Sequence, residues 1–80
     1  MIYAKYVNED SGREYDQILC KQYLNLNKMY EVDDVIFSEC STYIKLKDFC
    51  FEFNSVNFEF YVKKEDNMLP FDIYHNEIFI

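Results

Sequence analysis

Tyr43-Ile44-Lys45-Leu46-Lys47-Asp48-Phe49-Cys50-Phe51-Glu52-Phe53-Asn54-Ser55-Val56-Asn57-Phe58-Glu59-Phe60-Tyr61-Val62 is the stretch that decides the fold. Ile44 and Leu46 alternate with Lys45 and Lys47, Phe51 and Phe53 flank Glu52, and Phe58 and Phe60 flank Glu59. A repeat of two is the signature of strands with one buried face. Asp48-Phe49-Cys50 reads as a turn, and Asn54-Ser55-Val56-Asn57 as a tight or single-turn helical connection. Phe51, Phe53, Phe58 and Phe60 are therefore expected mostly in the core. Read instead as an exposed platform for stacking bases, these segments would need positive charge, and they carry Glu52 and Glu59.

The pattern extends toward the N-terminus. Leu24 and Leu26 precede an Asn27-Lys28 turn, Tyr30 and Val32 alternate with Glu31 and Asp33, and Val35-Ile36-Phe37 continues until Ser38-Glu39-Cys40-Ser41 interrupts it. Between Glu14 and Tyr23, Tyr15, Ile18, Leu19 and Gln22 fit a short helical face, while Ile18-Leu19-Cys20 also suits a strand; a helical turn and an irregular loop both stay open. Ile2 to Val7 is strand-forming and ends at Asn8-Glu9-Asp10-Ser11-Gly12, which holds the only glycine. Lys63 to Asn67 reads as a charged, solvated turn, and Pro70 marks a boundary before an apolar tail from Phe71 to Ile80. Short strands separated by turns every eight to twelve residues predict a mainly β chain. We expect one domain over residues 1–80, a small closed or half-open barrel or a strongly bent antiparallel sheet, with at most one short helix.

Residues Tyr23 to Val32, the run Tyr43-Ile44-Lys45-Leu46-Lys47-Asp48, and Phe53 with Phe58-Glu59 resemble the small SH3-like barrel proteins encoded by phages and prophages of Gram-positive bacteria. The resemblance spans roughly residues 23–62 and implies an SH3-like barrel. Where that family commonly has Gly, this chain has Asn27, a residue that tolerates positive φ; the insert from Glu9 to Gln22 departs further. The whole profile also resembles type II anti-CRISPR proteins in size, acidity and richness in Asn, Lys, Tyr and Phe. That resemblance is of type and carries over no individual residue. It implies a stoichiometric inhibitor that binds a CRISPR effector nuclease, which holds its heteroduplex in a positively charged channel.

Fifteen acidic residues against eight basic ones give a formal charge of −7. Such a balance repels nucleic acid and anionic membrane and favours a basic protein surface; it also keeps a domain with sixteen Tyr and Phe soluble. The acids expected to face a partner are Glu31, Asp33, Asp34, Glu52, Glu59, Glu65 and Asp66. Asp33 and Asp34, adjacent in extended chain, should point to opposite faces and so form no shared site. No run approaches the ~20 apolar residues of a membrane helix, and no signal-peptide pattern follows Met1. The expected location is the cytoplasm of a bacterial host.

Cys20, Cys40, Cys50 and His75 make up the donor inventory of a structural Zn²⁺ site, three thiolates and an imidazole. Their spacing lacks the C-x₂₋₄-C pair of a zinc knuckle, so the fold would have to gather them. The alternative is three free thiols behaving as small hydrophobes, with His75 at the surface. A Cys–His nucleophilic pair lacks any local signature, and one glycine cannot build a phosphate loop. We therefore expect no enzyme. Three readings follow: an anti-CRISPR inhibitor that blocks target-DNA loading, a generic SH3-like phage interaction module or adaptor, and, least of all, a small hydrolase.

Overall fold

The computed structural model describes residues Met1 to Tyr74. Along the chain run β1 (Ile2–Tyr6), α1 (Glu14–Tyr23), β2 (Met29–Phe37), β3 (Thr42–Leu46), β4 (Glu52–Asn54), a 3₁₀ turn (Ser55–Asn57), β5 (Phe58–Lys64) and β6 (Asn67–Pro70). The strands join in one antiparallel sheet of order β4-β3-β2-β1-β5-β6.

Register follows from the apolar alternation. Ala4 lies opposite both Tyr30 and Phe60, Tyr6 opposite Phe58, Val32 opposite Leu46, and Ile44 between Val35 and Phe53. One continuous face of the sheet thereby becomes the core. Leu19 and Cys20 of α1, with Leu24 and Ile73, are buried in the same cluster. Aromatic rings tile it edge to face: Phe53 meets Phe49, Phe51 and Phe58 at centroid distances of 5.8, 6.4 and 6.3 Å, within the favourable range for such pairs.

The sheet is strongly curled, and its connections show why. β4 and β5 run in the same direction but stand four strand spacings apart, about 19 Å in a flat sheet. Only the turn Ser55–Asn57 joins them, and four Cα steps reach at most about 14 Å. A flat sheet would also require this link to return over a full strand length. The two halves must instead fold toward each other, with β2 bending between them where its register slips at Val32/Asp34. The order β5-β1-β2-β3-β4, closed by a 3₁₀ turn, is the SH3-like arrangement the sequence led us to expect. β6 extends it, and α1 occupies the long β1–β2 connection.

Several buried polar side chains lock that connection down. Asp16 Oδ2 accepts from the Arg13 backbone N–H at 3.0 Å and from Asn54 Nδ2 at 3.1 Å. Asn57, fully buried, donates Nδ2 to the carbonyls of Asn8 and Ser11 at 2.7 and 2.8 Å, and its own carbonyl accepts from the Val7 and Asn8 N–H groups. Gly12 adopts φ +82° beside Asp16, where a Cβ would sit 3.2 Å from that side chain. The Asn8–Gly12 loop is thus stitched to the 3₁₀ turn.

Candidate partner-binding surface

The outer face of the sheet gathers part of the expected acidic set among lysines on neighbouring strands. Across neighbouring strands, Glu59 faces Lys5, Asp34 faces Lys45, and Lys45 faces Glu52; the Lys47 N–H bonds to the Glu31 carbonyl at 3.0 Å, placing those two in one row. Lys63 shares this face, opposite Met68. Four carboxylates and four lysines thus share this face, and Tyr3 and Tyr61 stand side by side among them. Tyr61 donates its hydroxyl to Glu59 Oε1 at 2.8 Å, a bond that raises the phenol pKa. The outer face carries equal numbers of carboxylates and lysines.

The remaining three acids lie apart. Asp33 sits in the β2 bulge, where both it and Asp34 are exposed; the bulge removes the alternation that would send them to opposite faces. Glu65 and Asp66 form the exposed tip of the β5–β6 hairpin, with Glu65 at φ 57°.

The charged residues that line the concave surfaces are carboxylates. One open groove of about 640 Å³ runs along Phe58, Phe60, Pro70, Phe71, Ile73 and Tyr74, and its charged lining residues are Glu59 and Asp72. A second, more polar cleft of about 380 Å³ lies between the β2–β3 loop Ser38–Thr42 and the turn Asn54–Val56. Glu39 is its charged wall, Cys40 lines it, and Tyr74 separates it from the first groove with its hydroxyl 2.7 Å from Ser55 Oγ. Among the described residues lining both hollows, no lysine, arginine or histidine appears. Aromatic walls with carboxylate edges suit a segment carrying apolar and cationic side chains.

The three cysteines are free and in different surroundings. Cys20 is fully buried beneath α1, its thiol pushed up to about 12 by desolvation and then by the Asp16 carboxylate. Cys40 and Cys50 are exposed. His75 lies outside the described residues. Among the described residues, no three His, Cys, Asp or Glu side chains are grouped to hold a metal ion.

Sequence reasoning missed two features here. The helix leaves Tyr15 and Ile18 69% and 54% exposed, although the apolar pattern alone invited burying them. The Asp16–Asn54 and Asn57 bonds were also missed; the one available signal was a polar Asn-Ser-Val-Asn run between two strongly apolar strands.

Fold and surface together define a small acidic SH3-like domain with open, carboxylate-edged aromatic hollows. The chain belongs to the family described as bacteriophage T4 protein Y07B, whose pattern it matches over residues 1–79. A protein of Enterobacteria phage T4, described as the uncharacterized 11.2 kDa protein in the segB-ipI intergenic region, is 31% identical over 81 residues, covering 98% of this chain and 85% of that protein. No solved structure matches the chain. The phage connection implied by the sequence is therefore met, through a phage of enterobacteria where the resemblance pointed to phages of Gram-positive bacteria. Among the described residues no helix is long and apolar enough to cross a membrane.

Proposed function

We propose that this small phage-family protein acts by binding a basic protein of the infected cell, without turnover of its own. The observation that carries this reading is the charge layout: among the described residues no lysine or arginine lines the aromatic groove or the neighbouring cleft, and Asp72 and Glu39 edge them, with Glu59 at the rim shared with the outer sheet face. An arginine- or lysine-bearing segment would gain both stacking and charge pairing there. The finer form we infer is stoichiometric inhibition of a type II CRISPR effector nuclease at the step of target-DNA loading. Size, acidity and phage kinship support that form, and a positively charged nucleic-acid channel is the kind of surface such a groove complements.

The test is guided cleavage of a short DNA duplex with the protein added before or after the DNA. Inhibition only when it is added first supports blocked loading. Unchanged cleavage across several such nucleases, with an affinity pull-down that recovers a different basic partner, moves the function to a phage adaptor. In either case Phe71→Ala and Glu59→Lys in the groove should weaken capture at least tenfold; capture indifferent to both sinks the proposed surface.

A further inference from the structure

We propose that the exposed face of α1 is a self-association surface on which a second copy of this chain docks antiparallel about a twofold axis at Ile18. At 100° per residue, Asp16, Leu19 and Cys20 share the buried side of the helix, and Glu14, Ile18 and Lys21 share the opposite one, flanked by Tyr15 and Gln22. Ile18 and Tyr15 are among the most exposed large hydrophobic residues of the described chain. They sit on the element inserted between β1 and β2, clear of both hollows.

Charge decides the occupant. A twofold interface brings each patch against itself, so its charges must be self-complementary. This stripe runs acid, apolar centre, base. Antiparallel docking at Ile18 brings Glu14 of each copy beside Lys21 of the other and sets the two Ile18 side chains in contact, with Tyr15 lying over the Lys21 and Gln22 stems. Parallel docking would oppose like charges. Within one copy, Lys21 lies 3.7 Å from Asp10 with both side chains at least half solvated, so its exchange to Glu14 of the second copy gives up little. The stripe is also close to neutral on a chain of −7, which makes it a face where two such acidic molecules approach without mutual repulsion. One short helix per copy places the contact in the small, transient class of interface.

Sedimentation equilibrium up to about 1 mM chain, the range in which millimolar association registers, tests this. The expected result is a monomer–dimer equilibrium that Ile18→Glu abolishes and that Glu14→Lys or Lys21→Glu alone weakens at least fivefold, while the double swap Glu14→Lys/Lys21→Glu restores it. Far-UV circular dichroism checks that each variant is folded, as expected for changes at the exposed Glu14, Ile18 and Lys21. A strict monomer throughout, a dimer indifferent to Ile18→Glu, or a double swap no better than its single parents overturns the proposal.

Discussion

At the scale of single residues, stability rests on polar groups where a small domain is usually apolar. Asp16, Asn54, Ser55 and Asn57 are buried, and the long-range bonds of Asp16 and Asn57 tie the β1–β2 connection to the β4–β5 turn. Asp16→Ala strands the Asn54 amide and frees the helix start, so it should cost about 1–3 kcal/mol in urea unfolding. Asn57→Ala removes two loop anchors at once and should cost at least as much. Cys20 adds a pH dependence. Its thiol stays protonated in the fold to about 12, above its ordinary 9.0, and the buried Tyr6 phenol behaves alike, raised from 10.0 to about 12 mainly by desolvation. Both folded pKa values are raised, so their contribution is complete below pH 9 and is lost as pH climbs toward 12. The melting temperature should therefore fall across that window, and less steeply in Cys20→Ala. In native protein a thiol reagent should label Cys40 and Cys50 and spare Cys20 until unfolding. The zinc expectation is checked separately: elemental analysis of untagged protein should find one Zn²⁺ per chain if Cys20, Cys40, Cys50 and His75 bind it, and a content far below one removes the proposal.

Among the elements, those with a strict repeat of two were legible from sequence. β1, β3 and β5 lie within a residue or two of their expected positions, and Phe53, Phe58 and Phe60 are buried as expected. Asn27 takes φ 67°, the positive value anticipated for that turn. The helix stayed open because Tyr15 and Ile18 face outward while Asp16 joins Leu19 and Cys20 on the inner side; tertiary hydrogen bonding overrode the hydrophobic pattern. β6 was hidden in a charged turn because a two-residue hairpin needs only Glu65 and Asp66 at its tip, leaving Lys63 and Lys64 to pair with Met68 and Asn67. Of the expected partner surface, the acids were legible but not their lysine partners, since cross-strand neighbours are set by register. Glu65 at φ 57° carries the steric cost of a non-glycine residue, so Glu65→Gly should raise stability by about 0.5–1 kcal/mol. Pro70 guards the sheet margin. The Phe71 N–H reaches the Phe60 carbonyl at 2.9 Å, so by alternation Pro70 faces outward, where its missing N–H denies a donor to any added strand. Pro70→Val should raise light scattering on concentration.

Over the whole molecule, charge and curvature share the work. The net charge of −7 lies mostly away from the outer sheet face, so binding of a basic partner should weaken as salt rises from 50 to 500 mM, while chain stability changes little. The curl matters for assembly as well. β1 pairs on one side with β2 and on the other with β5, Ile2 against Val62. A strand near the start of the chain thus waits for a partner sixty residues downstream, roughly 3–12 s at 5–20 residues per second of translation. Until that segment emerges from the ribosome, the nascent chain holds a half-paired central strand and an open aromatic interior. A fragment of residues 1–57 contains four of the six strands, yet it should show no cooperative melting. Folding of this protein should therefore finish in one cooperative step, once β5 is free to pair with β1.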